Sequence, residues 1–144
     1  MASKSPLNIV ETAISNVLKA EPALSAYHIY RGEETGELLL PSIVVSCESA
    51  QPAPDIAQGL GNYLCKVTIG VVNNIDDETE TTHRNATQEI TGLMDNLPVI
   101  KAAFVETGDA TCYDTTFGNL NYQPGERALT TSIDYDVLMV LAPA

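Results

Sequence analysis

Apolar residues recur along the chain with two different spacings, one typical of helices and one typical of strands. The first helical stretch begins at Ser5-Pro6, where a capping hydroxyl precedes a proline at the first helical position. Apolar side chains then recur every three or four residues and form one stripe. This pattern predicts an amphipathic helix over residues 6–20.

A second apolar stripe with helical spacing follows an acidic stretch. Asp76 or Asp77 can cap this helix, which the pattern extends to Asn96. Acidic side chains in a first turn also suit the positive end of the helix dipole. A proline then restarts a short helical turn over residues 98–104.

Five further segments are rich in β-branched and aromatic residues, and several alternate strictly between apolar and polar positions. Alternation of this kind predicts strands with one buried face. The last segment is the longest, with an apolar row on one face and mainly polar residues on the other. The predicted strands are Tyr27–Arg31, Ser42–Glu48, Tyr63–Val72, Ala110–Phe117 and Ala128–Leu141.

Two stretches between the predicted strands have no steady period and contain several Pro and Gly residues. Residues 49–62 predict a long loop, and a loop of this length is unusual in a compact domain unless it is functional or becomes ordered on a partner. Residues 118–126 predict a second, turn-rich loop. Both loops are therefore candidate contact segments.

The elements follow the order α-β-β-β-α-β-β. This order predicts an α+β fold in which helices pack on one face of a mostly antiparallel, mixed β-sheet. The 144 residues correspond to one domain spanning 1–144.

The balance of charge restricts the possible partners. Nineteen acidic residues against seven basic ones give a formal net charge of −12. Proteins that bind nucleic acid take much of their affinity from Lys and Arg on phosphates, and anionic membranes attract the same residues. The composition therefore predicts neither specific nucleic-acid binding nor docking on a membrane.

The three cysteines, Cys47, Cys65 and Cys112, lie in apolar, strand-like segments and form no C-x-x-C pair. We interpret them as buried free thiols. A thiolate nucleophile needs a nearby histidine, and His28 can reach Cys47 only if their two strands pair suitably. Plain packing of both residues within a sheet is the simpler interpretation.

Other patterns of reactive residues are equally sparse. His28 and His83 lie in different elements, at a strand edge and on an exposed helix face, and have no neighbours at metal-ligand spacing. Asp134 and Asp136 lie on one side of the last strand, about 7 Å apart from the rise of a strand. Two carboxylates cannot lie unpaired in a dry core, so their face contacts water, a partner or the lumen of a ring. The sequence predicts no enzyme, no metal and no cofactor.

The succession of features from residue 5 to 141 resembles the tail terminator (tail-completion) proteins of long-tailed bacteriophages. The resemblance is carried by the opening amphipathic helix, by the closing segment before the final strand, and by three intervening motifs. The closing segment is Leu120-Asn121-Tyr122-Gln123-Pro124-Gly125-Glu126. The intervening motifs are Leu40-Pro41-Ser42-Ile43-Val44-Val45 at a strand entry, Val71-Val72-Asn73 at a strand end, and Leu93-Met94 at a helix end. Members of the family often have an aromatic residue where Leu129 begins the last strand.

The resemblance implies a structural virion protein without enzymatic activity. Its subunits would form a hexameric ring at the junction of tail and neck, between the tail tube protein and a neck or head-completion protein. The ring would be assembled in the host cytoplasm, and DNA would pass through its lumen. The candidate interface or lumen residues are Asp55, Gln58, Asn121, Gln123, Glu126, Asp134 and Asp136.

Two alternative functions stay open. One is a different connector ring of the head–tail junction, an adaptor or a stopper. The other, from a different class, is a small-molecule-binding α+β domain, which would be a monomer with a deep apolar pocket.

Overall fold

A computed structural model describes residues 5–32, 39–52, 62–75, 79–108 and 110–141. These residues form three α-helices, one short 3-10 helix and five strands. The helices are α1 (Pro6–Lys19), α2 (Thr79–Asp95) and α3 (Leu97–Glu106), and the 3-10 helix spans Pro22–Leu24. The strands are β1 (His28–Arg31), β2 (Ser42–Pro52), β3 (Asn62–Asn74), β4 (Ala110–Pro124) and β5 (Ala128–Leu141).

The five strands form one mixed sheet in the order β1-β2-β3-β5-β4. Only β1 and β2 run parallel, and the other neighbours are antiparallel. The described helices cover one face: α1 packs on β1 and β2, α2 on β3 and β5, and α3 on β4. The predicted α+β class with helices on one face is confirmed.

The alternation along β3 and β5 explains why the helices lie on one side. Odd-numbered residues from Cys65 to Asn73 and from Leu129 to Met139 are buried, whereas their even-numbered neighbours are half-buried or exposed. Successive side chains of a strand point to opposite faces, so one face of the sheet enters the core. Burial of this apolar surface against the helices is the main favourable contribution to folding.

The region after α2 differs from the predicted order, because two helices follow one another before β4. The predicted short turn over residues 98–104 is a ten-residue helix, α3. Pro98 lies in its first turn, where a missing backbone N–H costs nothing, and the helix buries Ile100 and Phe104. After α3, Gly108 has a φ of 75°, a left-handed conformation that favours glycine.

The prediction of a loop over residues 49–62 is wrong at both of its boundaries. Strand β2 continues to Pro52 and β3 begins at Asn62, with Ala50 opposite Cys65. A shift of register between Cys47 and Ser49 allows β2 to continue past the point where its regular alternation stops. Residues 53–61, including Asp55 and Gln58, lie outside the described part of the chain, as do the predicted capping residues Asp76 and Asp77.

The second predicted loop, 118–126, is mostly strand. β4 extends to Pro124, and a tight turn joins it to β5, closed by a hydrogen bond of 2.9 Å from the Gly125 N–H to the Ala128 carbonyl. β4 is an edge strand whose second half is largely exposed, so polar residues and glycine are tolerated there. The composition is typical of a loop, whereas the pairing with β5 produces a long hairpin.

In the described segments, no helix combines the length and the apolar character needed to span a membrane.

Candidate functional site

The sheet face opposite the helices has a polar groove of about 510 Å³. The groove crosses β3, β5 and β4 near the middle of the sheet, with one residue of β2 at its border. It is lined by Glu48, Lys66, Val67, Thr68, Gly118, Asn119, Asn121, Ser132, Asp134, Tyr135 and Asp136. We call this surface the acidic groove.

Strand register brings the charged and polar side chains of the acidic groove together. Thr68 lies opposite Asp134, and Lys66 lies opposite Asp136, on the antiparallel pair β3–β5. Side chains at directly opposed positions of adjacent strands point to the same face and interact. The two carboxylates therefore have partners on β3, which the sequence pattern of β5 alone does not show.

The hydroxyl of Thr68 lies within hydrogen-bond distance of two carboxylates. The Thr68 hydroxyl lies 2.9 Å from Asp134 Oδ1 and 3.2 Å from Glu48 Oε1. A hydroxyl has one proton to donate, so only one of the two carboxylates can accept it at a time. The Thr68 hydroxyl therefore cannot donate to Glu48 and Asp134 at the same time.

The acidic groove has one positive charge among three negative ones. Lys66 Nζ lies 3.6 Å from Asp136 Oδ1, and both side chains are substantially exposed, 58% and 40% respectively. An exposed ion pair of this kind contributes at most about 1 kcal/mol to stability. Its side chains also remain accessible to an approaching charged molecule, and the net charge they meet is negative.

The structure brings together three of the predicted candidate residues: Asn121, Asp134 and Asp136 all line the acidic groove. Gln123 lies opposite Thr130, farther along β4 towards the turn. Glu126 is exposed in the β4–β5 turn.

The lining residues that sequence reasoning did not select as candidates include Glu48, Lys66 and Thr68. A signal was present for two of them, because Lys66 and Thr68 occupy the polar positions of the clearest alternating strand. The same face of β5 carries Asp134 and Asp136, but only the register between the two strands makes them neighbours.

The prediction that His83 lies on an exposed helix face is wrong, because its relative exposure is 0%. Its Nδ1 lies 2.7 Å from Asn73 Oδ1, and its Nε2 lies 2.6 Å from the Thr131 hydroxyl. Asn73 Nδ2 in turn donates to the Tyr27 hydroxyl at 2.8 Å. These four side chains form a buried polar cluster that joins α2 to β3, β5 and the turn before β1.

The hydrogen bonds of the cluster define the neutral form of His83. Because Asn73 Oδ1 accepts, His83 Nδ1 carries the proton, and Nε2 accepts from the Thr131 hydroxyl. Burial lowers the pKa of His83, since the charged imidazolium would lose its hydration. Both ring nitrogens are occupied by protein partners, so the imidazole holds α2 against the sheet and has no nitrogen free for a substrate.

The hypothetical pair of His28 and Cys47 does not form. β1 and β2 are indeed neighbours, but His28 lies opposite Ser42, five residues before Cys47. Five residues of strand span about 17 Å. His28 is also exposed, whereas Cys47 is buried.

All three cysteines are free and buried, as predicted. A hydrogen bond to Cys47 and burial raise the pKa of Cys65. Burial raises the pKa of Cys112 to about 11. Both Cys65 and Cys112 are therefore thiols at neutral pH and poor nucleophiles.

No group of three or more His, Cys, Asp or Glu side chains is placed to hold a metal ion within the part of the chain that the structure describes. Comparison of the sequence with protein-family models and with curated proteins finds no match to either.

Proposed function

We propose that this protein is a structural component of a phage-like tail that forms a ring at the end of the tail tube. In this proposal six copies cap the tube, stop its growth and join it to the neck. The observation that carries the proposal is the acidic groove, which concentrates Glu48, Asp134 and Asp136 on the face left uncovered by the helices.

An acidic sheet face suits the inner surface of a ring through which DNA passes. Phosphates and carboxylates repel each other, and this repulsion prevents the DNA from adhering to the wall. With a formal charge of −12 per copy, a six-membered ring carries 6 × −12 = −72. The helical layer then forms the outer surface of the ring, where it is free of the DNA path.

The sequence resemblance supports the same proposal. The segment Leu120–Glu126, which carries part of that resemblance, forms the end of β4 and the turn into β5, so it lies at one extremity of the sheet. Placed at the rim of a ring, Gln123 and Glu126 would contact the tube protein or the neck protein. The partners of the proposed ring are these two proteins and further copies of the chain.

The proposal is tested by polymerising tail tube protein with and without this protein. Electron microscopy should show tubes of uncontrolled length without it, and capped tubes of limited length with it. A native mass spectrum of the capped material should show six copies of a 15.4 kDa chain. Tubes whose length is the same in both reactions would contradict the proposal.

The double variant Asp134→Asn/Asp136→Asn tests the role of the acidic groove separately. We expect it to form rings and particles normally but to slow DNA ejection, most strongly at low salt, where charges are screened least. The matched control is Glu89→Gln, which removes an exposed carboxylate from α2. DNA ejection that is normal at every salt concentration would exclude the hypothesis that the acidic groove lines the lumen. Loss of the ring in this variant would instead place the acidic groove at a contact between subunits.

A second candidate function is supported by an apolar groove of about 390 Å³ lined by residues of α1, α2 and α3. Val17, Leu93, Val99 and Ala103 line it, and apolar grooves of this volume can hold a small hydrophobic molecule. A monomer that retains a co-purified small molecule in its native mass spectrum would favour this function over the ring.

A further inference from the structure

The outer edge of β4 is the longest unpaired strand edge in the described part of the sheet. β4 spans 15 residues and pairs with β5 on one side, and no described strand pairs with its other side. The backbone N–H and C=O groups along such an edge can accept another strand. Edges of natural proteins are usually protected by charges, prolines or a covering element.

Charge does not protect the second half of this edge. No charged residue occurs from 115 to 125, although the chain contains 19 acidic and 7 basic residues. Two copies of a chain with a net charge of −12 repel each other, so they approach most easily through an uncharged surface. The stretch from 115 to 125 provides an uncharged surface of this kind.

The helix side of the same half-strand is apolar and uncovered. Phe117 and Leu120 are 50% and 40% exposed, although they lie opposite the buried residues Tyr135 and Ile133 of β5. The adjacent Tyr122 is half-buried. Helix α3 packs on β4 and α2 packs on β3 and β5, yet neither helix covers these side chains completely.

Two irregularities define how much of the edge can pair regularly. The register with β5 shifts between Phe117 and Asn119, which places a bulge at Gly118. At the other end, Pro124 has no backbone N–H to donate. The regular stretch available to a second strand is therefore Asn119–Gln123, and its centre is Asn121.

We propose that two copies of this chain pair through this stretch as antiparallel strands related by a two-fold axis at Asn121. Asn119 then lies opposite Gln123 of the second copy, and Leu120 lies opposite its Tyr122. Amide side chains meet amides on one face of the joined sheet, and apolar side chains meet on the other. Cross-strand pairs of matched type stabilise antiparallel sheets.

The acidic grooves do not prevent this pairing. In the joined sheet, Asp134 is in line with Thr130 of the second copy, four residues away from that copy's own Asp134. Three strand spacings across and four residues along therefore separate the two Asp134 residues by about 20 Å. This distance exceeds the Debye length of about 8 Å at physiological ionic strength. The repulsion is therefore largely screened there, and added salt strengthens the dimer.

This dimer is the form that the free protein takes before it meets any tube. A two-fold contact uses the same surface on both copies and stops at two, whereas a six-fold ring needs a head-to-tail contact between two different surfaces. The proposal is consequently independent of the ring, and either one can fail alone.

Native mass and cross-linking test the dimer on the full chain. We expect twice the mass of the 15.4 kDa chain, with the dimer fraction rising with protein and salt concentration. Leu120→Lys should give a monomer because it places a charge in the apolar row. The matched control Val105→Lys, at a residue of α3 that is 64% exposed, should stay dimeric.

Single cysteines test the register, and the native thiols do not interfere because they are buried. Asn121→Cys should form a disulfide-linked dimer on mild oxidation, because the introduced thiol of one copy lies opposite the same thiol of the second copy. Gln123→Cys should not, since the two introduced thiols lie about 13 Å apart. A monomer at every concentration, a dimer unaffected by Leu120→Lys, or cross-linking of Gln123→Cys in place of Asn121→Cys overturns the proposal. A free hexamer would also overturn it, while supporting the ring.

Discussion

The Glu11 carboxylate of α1 accepts a hydrogen bond of 2.8 Å from the backbone N–H of Cys47 in β2. β1 pairs with β2 only as far as Val45, so this N–H lies just beyond the end of the shorter strand. A buried N–H without a partner costs free energy, and Glu11 supplies the partner that β1 does not. The carboxylate therefore ties α1 to the sheet where the parallel pairing stops.

Removing that carboxylate should destabilise the fold. Glu11→Ala leaves the Cys47 N–H buried and unsatisfied, and we expect the free energy of unfolding to fall by about 1.5–3 kcal/mol. Glu11→Gln keeps an acceptor oxygen and should cost less, about 1 kcal/mol. Urea denaturation of the two variants beside the wild type checks the order, and equal losses would show that the hydrogen bond is not the cause.

The stability of the protein should depend on pH through His83. Its pKa is lowered in the folded state by burial, whereas the unfolded chain has the ordinary histidine value of about 6.5. Below that pH the unfolded chain binds a proton that the folded chain binds less readily, so stability falls as the pH decreases from about 6.5 towards the folded pKa. Above about 6.5 this contribution is complete and no longer changes.

His83→Gln isolates that contribution, because glutamine can still both donate and accept but does not titrate. We expect the variant to be less stable at neutral pH and to lose the part of the pH dependence that begins near 6.5. His28→Gln, which removes the exposed histidine of β1, is the matched control for replacing a histidine by glutamine. Identical slopes for the wild type and His83→Gln would refute the assignment.

The cysteines should be inert in the folded protein. All three are buried, and the pKa values of Cys65 and Cys112 are raised, so a thiol reagent at neutral pH should label none of them before denaturation and all three afterwards. Val105→Cys provides an exposed thiol that should react at once. Rapid labelling of any of the three cysteines in the native protein would contradict the prediction.

Neutralising one carboxylate of the acidic groove should not harm the fold. Asp134 and Glu48 share the Thr68 hydroxyl, which holds two negative charges close together. Asp134→Asn should therefore change the stability by no more than about 0.5 kcal/mol at physiological salt, and should raise it at low salt as repulsion is relieved. Thermal unfolding at several salt concentrations measures the effect, and a large loss of stability at low salt would contradict it.

Much of the local structure follows from periodicity alone. The alternation from Ala128 to Leu141 predicts both the existence of β5 and the identity of its buried face, because successive residues of a strand must point to opposite sides. Likewise, Ser5-Pro6 and the following apolar stripe predict α1 to within one residue of its end. Both predictions depend only on the order of residues within one short segment, so that segment is sufficient to make them.

Strand ends were less predictable because pairing can override composition. Residues 118–124, rich in Gly and Asn, have the composition of a loop. They nevertheless continue β4 because β5 lies beside them, and the two strands pair at thirteen positions along their length. Similarly, a bulge after Cys47 allows β2 to continue to Pro52 along β3. Hydrogen bonds between strands depend on the neighbouring segment, which local propensity does not include.

The net charge, the α+β class and the carboxylates on one face of the last strand can therefore be read from the residue pattern. The burial of His83, the position of Lys66 and Thr68 beside those carboxylates, and the open edge at Asn121 follow only from the three-dimensional packing. The reason is that burial and contact depend on which segments become neighbours. That choice is made by the packing of helices and strands distant in the chain, and one residue's change in register moves a side chain to the opposite face.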